Sequence, residues 1–273
     1  ISHYRAAIRK LCSMAYLPDP FETFPRLRDL CEGLKKRITL RVKRKEGMTL
    51  RMVTTLLAFW RRSEVAYRKA GDIRTADTVL RHQVAVILGW CGMRRASEIF
   101  SSKDGTRGLL RSHISFVVGS HVTLFIQGMK NDPYSEGNEV VLVWCTSSGI
   151  PIGDTLLRYE QRLQACAIPR DAPYILPTRG HQGFYVPASG KGTRDVQYLK
   201  SGLRTCFSEF ARDPDLLSRF SWHSLRRGGA SHAFRERTDE RLIMGHGLWR
   251  SEAGVRPYMA ADLRGKKSVT QCM

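Results

Sequence analysis

The stretch "SWHSLRRGGASHAF" at residues 221–234 places a histidine, two arginines and two glycines on one predicted helix. His223 and Arg226 are three positions apart, so on a helix they project from the same face. Gly228 and Gly229 lack a Cβ atom, which lets the helix lie close to another backbone at a cost of about 1 kcal/mol each in helix propensity. The stretch therefore predicts a closely packed helix with a His–Arg pair, although such a pair alone is also typical of an ordinary surface helix.

Two stretches upstream carry further basic residues at predicted element ends. "GMRRASEIF" at 92–100 ends an apolar helix and places Arg95 three residues before Glu98. "QGMKNDPYSEGNEV" at 127–140 places Lys130 next to the turn of a predicted β-hairpin. Each of these pieces is a weak signal, because arginines and lysines are plentiful in the chain.

A third stretch, "GHGLWRSEAGVRPYM" at 245–259, supplies His246, Trp249 and Tyr258. The chain has nine tyrosines and eight histidines, so none of these residues is diagnostic alone. What is hard to obtain by chance is the order of all the pieces on the predicted elements.

The net charge indicates a polyanionic partner. The 273 residues include 45 Lys and Arg against 25 Asp and Glu, a formal charge of +20 with a pI of about 10.1. The run "KKRITLRVKRK" at 35–45 contains no acidic residue, which is typical of a surface that contacts phosphates. An ordinary basic structural protein would share the charge but not the ordered motifs. The residues predicted to contact DNA are Lys35, Lys36, Arg37, Arg41, Lys43, Arg44, Lys45, Arg94 and Arg227.

The cysteines and the apolar stretches argue against a secreted or membrane protein. No C-x-x-C pair is present, so neither a zinc site nor a disulfide framework is predicted, and reduced intracellular thiols are expected. The longest apolar stretch, at 84–93, is about half of what a membrane span needs. No signal-peptide pattern is present, and the start at Ile1 indicates a fragment.

The hydrophobic patterns predict a mainly α protein with a small antiparallel β-sheet, an α+β fold. Helices are expected over 3–16 and 24–38, from an N-cap at Thr49 to about Trp90 with a break near 69–72, and near 195–211; strands are expected within 114–126 and 139–145. A boundary near 45–48 divides the chain into a helical DNA-binding part, 1–45, and a larger domain, 46–273.

The set of motifs resembles the tyrosine recombinase (phage integrase) family, and its residue pattern is most similar to that of recombinases of DIRS-type retroelements. The resemblance covers roughly 46–262, and the helices before it resemble the end of the core-binding domain of that family. It implies a catalytic domain whose site residues are Arg95, with Glu98 as its supporting acid, Lys130, His223, Arg226, Trp249 and Tyr258.

The position that the family fills with His or Trp has two candidates here. "GH" at 245–246 resembles a frequent family pair, but the spacing of about nine residues to the tyrosine fits Trp249. His246 stays the weaker candidate. The indole N–H of Trp249 can donate a hydrogen bond to a phosphate oxygen. The alternative is that Trp249 is an aromatic residue of the core, and both interpretations can hold together.

The resemblance implies phosphodiester cleavage through a covalent 3′-phosphotyrosine at Tyr258. A free phenol has a pKa of about 10, so the reaction needs a proton acceptor, and His223 can serve. The guanidinium groups of Arg95 and Arg226 suit the developing charge on the phosphate, and Lys130 is implied as general acid. Neither a metal nor ATP nor another nucleotide cofactor is expected.

The sequence thus predicts a DNA breaking-rejoining enzyme for the integration or excision of a mobile element. Double-stranded DNA is the expected partner, self-association as a tetramer follows from family analogy, and the expected location is intracellular on chromosomal or element DNA, nuclear in a eukaryotic host. Two alternatives stay open: a type IB topoisomerase-like enzyme, and a decayed or domesticated recombinase that only binds DNA. The complete residue set argues against the second.

Overall fold

The computed structural model describes residues 2–38, 45–100, 108–127, 137–175 and 193–259. The chain divides into two compact units, residues 1–44 and 45–273, and the boundary predicted between 45 and 46 lies one residue from this division. Three predicted DNA contacts and the hairpin lysine lie outside the described residues: Arg41, Lys43, Arg44 and Lys130. Of Lys35, Lys36 and Arg37 only the backbone is described.

The first unit is helical, as its apolar spacing predicts. Its helices are α1 (Ser2–Met14), α2 (Pro20–Thr23) and α3 (Pro25–Ile38). The Asp19 side chain accepts a hydrogen bond of 2.9 Å from the Phe21 amide and so caps α2. Arg5 pairs with Glu32 at 2.8 Å and lies 4.9 Å from the centroid of the Phe21 ring, which links α1 to α3 and α2.

The second unit is built around one buried helix. Its helices are α4 (Leu50–Lys69), α5 (Ile73–Trp90), α6 (Ala96–Ile99), α7 (Ile152–Ala165), α8 (Thr193–Cys206), α9 (Ser208–Arg212), α10 (Trp222–Arg235), α11 (Glu240–Gly247) and α12 (Glu252–Met259). Helix α5 is buried over most of its length and packs against α4, α7 and α10. Its apolar composition explains this central place. Thr49 caps α4 by accepting a hydrogen bond from the Met52 amide, which confirms the predicted N-cap.

The sheet has three antiparallel strands in the order β1 (Ile114–Val117), β2 (His121–Ile126) and β3 (Asn138–Val143). Leu124 pairs with Ile114 on one side and with Val140 on the other, and all three are buried. The predicted strand at 114–126 is two strands, because a turn at 118–120 with Gly119 at φ 80° reverses the chain. The fold class predicted from the sequence is confirmed.

The helix predicted near 195–211 is interrupted. Phe207 has an extended backbone, φ −133° and ψ 119°, and separates α8 from α9. Its side chain is buried with Phe210, at 5.9 Å between ring centroids. Burial of these two aromatic rings accompanies the break. No glycine or proline lies next to Phe207 in the sequence, so the break could not be predicted from such a residue.

The two glycines of α10 allow close packing, as the sequence predicts. A Cβ atom on Gly228 would lie 2.0 Å from the Met48 carbonyl oxygen, and one on Gly229 would lie 2.0 Å from the Trp90 carbonyl oxygen. The indole of Trp90 also donates a 3.0 Å hydrogen bond to the Met48 carbonyl. The end of α5 and Met48, just before α4, therefore fix the position of α10 and of the residues that it carries.

None of the described helices combines the length and the apolar character needed to cross a bilayer.

Candidate active site

A tyrosine and a histidine from two neighbouring helices meet at the centre of the site. Tyr258 on α12 and His223 at the start of α10 are joined by a hydrogen bond of 2.8 Å between the phenol oxygen and Nε2. The Ser231 hydroxyl, two turns along α10, donates a 2.7 Å hydrogen bond to the Tyr258 carbonyl. Helix α12 is thus tied to α10 at two points, the Tyr258 phenol and the Tyr258 carbonyl.

The surroundings of His223 favour the neutral imidazole. Partial burial of the ring lowers the pKa of His223 below 6.5, and the positive charges of Arg226, Arg95 and Arg227 lower this pKa further. The ring is therefore neutral at pH 7, with Nε2 able to accept the phenol proton of Tyr258. The geometry provides a proton acceptor in contact with a potential nucleophile.

Glu98 on α6 organises the arginine that follows the end of α5. Its carboxylate accepts hydrogen bonds from the Arg95 amide at 3.0 Å and from Arg95 Nη1 at 2.7 Å. The Glu98 side chain is 4% exposed, whereas that of Arg95 is 34% exposed. Arg95 is thus fixed by a buried acid while part of its side chain faces solvent, where it can meet an anion.

Arg226 is enclosed by backbone carbonyls and by an indole ring. Its Nη1 donates to the Met93 carbonyl, and its Nη2 donates to the Gly247 carbonyl at 2.8 Å. The Trp249 ring lies 3.9 Å from its Cζ atom. Burial lowers the pKa of Arg226 to about 10, so it stays charged at pH 7. A direct bidentate contact with phosphate requires Trp249 and the two carbonyls to move away.

Trp249 lies between the buried arginine and the tyrosine. Its ring centroid is 5.3 Å from that of Tyr258, and its side chain is largely buried. A Cβ atom on Gly247 would come within 1.6 Å of the Trp249 ring, so the glycine two residues earlier is needed for this ring position. Trp249 therefore lies beside Tyr258, and its assignment to the position that the family fills with His or Trp stays a prediction.

His246, the other candidate for that position, contacts a different segment. Its Nε2 is 2.8 Å from the carbonyl oxygen of Cys91, at the end of α5. Burial lowers the pKa of His246, and the bond to Cys91 opposes part of this shift. The neutral ring therefore donates its Nε2 proton to a backbone carbonyl and contributes to packing between α5 and α11.

Arg94 is also buried, which does not fit the phosphate contact predicted for it. The side chain has no exposed surface, its Nε donates to the Gly92 carbonyl, and its Nη2 donates to the His246 carbonyl. Its Nη1 has no hydrogen-bond partner among the described residues and lies 3.8 Å from Glu98. Backbone carbonyls accept from Nε and Nη2 of this guanidinium, which a count of charges along the sequence does not reveal.

Two other predicted DNA contacts lie at or near the surface. Arg227 is partly buried, with its Cζ atom 6.0 Å from the centroid of the Tyr258 ring. Lys45 is exposed, and its Nζ donates a 2.6 Å hydrogen bond to the Ser218 carbonyl. Both side chains lie where a polyanion could reach them, and their role as DNA contacts stays a prediction.

The part of the chain that the structure describes contains no group of three His, Cys, Asp or Glu side chains placed to hold a metal ion.

Sequence reasoning missed three residues that shape the site: Ser231, Met93 and Gly247. Ser231 holds the tyrosine backbone, and Met93, at φ 51°, presents its carbonyl to Arg226. The pattern Gly-x-Trp is visible in the sequence and could have identified Gly247. Acceptor carbonyls leave no such signal, because every residue has one.

No protein-family model matches the chain, and no curated protein matches it. Among solved structures, the chain is similar to the XerH site-specific recombinase bound to palindromic difH substrate in a post-cleavage complex, with a TM-score of 0.51 and 13% identity, covering 83% of this chain and 52% of XerH. It is also similar to the XerA recombinase, with a TM-score of 0.50 and 14% identity, covering 84% of this chain and 65% of XerA.

At these identities the likeness concerns the fold. The chain has the fold of a tyrosine recombinase catalytic domain, and it spans about half the length of XerH.

Proposed function

We propose that the chain carries the catalytic part of a DNA breaking-rejoining enzyme, a site-specific recombinase whose nucleophile is Tyr258. The observation that carries this proposal is the 2.8 Å contact between the Tyr258 phenol and the neutral His223 imidazole, in a setting of several arginines. The fold shared with XerH and XerA supports it, and XerH is described as bound to its DNA substrate. The net charge of +20 agrees with a DNA partner.

The proposed step exchanges one phosphodiester for another. The phenol oxygen of Tyr258 attacks the phosphorus, a Tyr–O–P bond forms to the 3′ side, and the bond to the 5′ oxygen breaks. The phenol proton passes to His223 Nε2, and the departing 5′ oxygen takes a proton from a general acid, for which Lys130 is the residue implied by the family resemblance. Because the phosphotyrosine retains the bond energy, the reverse attack by a 5′-hydroxyl rejoins the strand.

The charge that develops on the phosphate oxygens requires cationic donors. Arg95 is fixed by Glu98 and partly open to solvent, so we assign it the first contact. Arg226 contributes positive charge from beneath Trp249, with the indole in place.

The finer features follow from the sequence resemblance. They include action on a mobile element of DIRS type, assembly as a tetramer on DNA, and a location with chromosomal or element DNA, in the nucleus of a eukaryotic host. The likeness to XerH and XerA does not support the DIRS-type assignment, which stays a prediction.

The test uses duplex oligonucleotides with randomised ends whose 3′ phosphate is esterified to 4-nitrophenol. Attack by tyrosine releases nitrophenolate, and this leaving group needs no general acid, so the assay is independent of Lys130. The wild-type protein should form a DNA adduct that survives denaturation and is absent in Tyr258→Phe, while Tyr67→Phe, an exposed tyrosine on α4, forms it normally.

Two other results point to the alternatives. Salt-sensitive DNA binding without any adduct would indicate a protein that only binds DNA. Relaxation of supercoiled plasmid by the monomer through Tyr258 would favour a topoisomerase-like enzyme.

A further inference from the structure

We propose that Arg94 and His246 are positioning residues that join the end of α5 to the end of α11 and thereby hold Trp249 against Tyr258. The inference rests on the proposed function, because its consequence for reactivity concerns Tyr258. It replaces the two roles that the sequence predicts for these residues, a phosphate contact for Arg94 and a catalytic position for His246.

The two residues form reciprocal contacts between the same two segments. Arg94, just after α5, donates through Nη2 to the carbonyl of His246 in α11. His246 in turn donates through Nε2 to the carbonyl of Cys91 at 2.8 Å. Arg94 Nε also donates to Gly92, which fixes the side chain within its own turn. Each segment therefore supplies a side-chain donor to a backbone acceptor of the other.

These contacts lie close to Trp249 along the chain. Helix α11 ends at Gly247, Leu248 adopts a left-handed conformation at φ 55°, and the Trp249 amide donates to the Met244 carbonyl at 2.9 Å. Only two residues separate the His246 carbonyl from the indole that lies beside Tyr258. A shift of the His246 backbone would therefore move the indole.

An apolar cluster links the same segments from the inside. Met93, Ile243, Trp249 and Val255 are buried together, and Tyr258 packs against them. Met93 is adjacent to Arg94 and has a left-handed backbone at φ 51°, a conformation that L side chains rarely adopt and that surrounding contacts must hold. The Arg94 contacts provide such a restraint, so their loss should loosen the turn and the cluster that includes Trp249.

The burial of Arg94 distinguishes positioning from DNA binding. Its side chain has no exposed surface, and its pKa, lowered by burial to about 10, leaves it charged at pH 7. Desolvation of a buried cation is costly, and the contacts of Arg94 with carbonyls and with Glu98 offset part of this cost. A side chain engaged in this way has no donor that faces solvent.

The first experiment measures backbone hydrogen exchange in the DNA-free protein, so it does not depend on activity. In Arg94→Leu and in His246→Leu, amides of 240–259 should exchange at least about tenfold faster than in the wild type, while those of the sheet at 114–126 stay unchanged. Arg235→Leu, the same substitution at an exposed arginine of α10, should leave both segments unchanged. Unchanged exchange at 240–259 in both variants would overturn the proposal.

The second experiment measures DNA affinity against salt and the rate of adduct formation at saturating DNA. Arg94→Leu should slow the adduct about 10–100-fold and leave the salt slope unaltered, whereas loss of a phosphate contact would reduce the slope by about 0.9. Arg94→Lys, which keeps the charge but only part of the donor geometry, should recover part of the rate. A reduced salt slope in Arg94→Leu would overturn the positioning role.

A double variant that combines Arg94→Leu and His246→Leu shows whether the two residues share one role or act independently. Because both residues restrain the same two segments, their effects on exchange should combine to less than the product of the single effects. If Arg94→Leu unfolds throughout, all segments exchange faster, and His246→Leu then decides the outcome. If the wild type forms no adduct, the proposed function fails. The hydrogen-exchange rates of the DNA-free protein still test the positioning role, because they do not depend on activity.

Discussion

Two clusters of arginines surround buried carboxylates in this molecule, and they differ in how far the arginines are buried. The Glu98 cluster, at the candidate site, comprises Glu98 with Arg94, Arg95 and Arg226. The Glu64–Asp77 network joins α4, α5 and α7 and comprises Glu64 and Asp77 with Arg61, Arg68, Arg158 and Arg162. Both clusters consist of arginines and carboxylates, so a difference in their properties reflects where the fold places these side chains.

In the network the acids are buried and the arginines reach solvent. Arg162 contacts both Asp77 oxygens at 3.0 Å, and this hydrogen bonding raises the pKa of Arg162. Its side chain is 31% exposed, and that of Arg68 is 28% exposed. The Arg158 side chain is 27% exposed, although its Nε is buried and has no hydrogen-bond partner among the described residues. Water can hydrate most of the positive charge in this network.

In the Glu98 cluster two of the three cations, Arg94 and Arg226, are themselves buried. Arg94 and Arg226 have no exposed side-chain surface, their Nη1 atoms lie 3.8 and 3.9 Å from Glu98, and burial lowers the pKa of each to about 10. Two buried guanidinium groups thus share one buried carboxylate. Both groups hold more arginines than acids, but only in the Glu98 cluster are the excess cations buried. Buried and strongly perturbed charges are typical of functional sites, whereas the network joins three helices and its cations reach solvent.

The largest difference should come from neutralising the carboxylate in each cluster. Glu98→Gln leaves two buried cations without a counter-charge and should lower the free energy of unfolding by about 3–5 kcal/mol. Glu64→Gln should cost about 1–2 kcal/mol, because its arginines can turn to water. Urea unfolding with constant m-values measures both losses, and equal losses would contradict the contrast.

A smaller effect should appear when the indole that covers Arg226 is displaced. Gly247→Ala forces its Cβ into the Trp249 ring and should cost about 1–3 kcal/mol of unfolding free energy. Gly245→Ala, two residues earlier on α11, meets nothing within 4 Å and should stabilise the helix by about 0.5–1 kcal/mol. Thermal unfolding compares the two variants, and a harmless Gly247→Ala would argue against the enclosed position of Trp249.

The arginines at the site should also set the pH dependence of adduct formation. The reaction needs neutral His223, whose pKa lies below 6.5, so the rate should be level at pH 7 and fall about tenfold per pH unit once the pH drops below that pKa. Arg95→Gln removes a charge that lowers the His223 pKa and should move this acid limb to higher pH. The nitrophenyl substrate provides the rate, and an acid limb at the same pH in Arg95→Gln and wild type would show that Arg95 does not influence His223.

The smallest effect is expected at the rim of the network. Arg61 contacts Glu64 at 3.0 Å but is 46% exposed, so solvent screens the pair. Arg61→Gln should change the free energy of unfolding by less than about 1 kcal/mol. A larger loss in urea unfolding would mean that the network, too, depends on each of its cations.

Much of the fold could be predicted from the sequence, because local patterns determine local structure. Thr49 begins a helix that its hydroxyl caps, and the two glycines of "RRGGAS" lie where α10 meets the carbonyls of Met48 and Trp90. The spacing of His223 and Arg226 places both on one helix, and Trp249 lies beside Tyr258. These features depend on helical periodicity or short spacing, both of which can be read along the chain.

The environment of each charge could not be predicted in the same way. Arg94 and Arg95 are adjacent in the sequence, yet one is buried against carbonyls and the other is partly open to solvent. Their acceptors on Gly92 and His246 are backbone atoms brought together by tertiary packing, and no side-chain pattern encodes them. For the same reason the covering of Arg226 by Trp249 emerges only in three dimensions.

The most direct test of the account is to locate the covalent bond to DNA. A nicked duplex that traps the cleaved strand is incubated with the protein, the adduct is digested with nuclease and protease, and mass spectrometry identifies the residue that carries the nucleotide. The account predicts a 3′-phosphodiester on Tyr258, absent after Tyr258→Phe and strongly reduced after His223→Ala. A nucleotide on any other residue, or an adduct that persists in Tyr258→Phe, would contradict it.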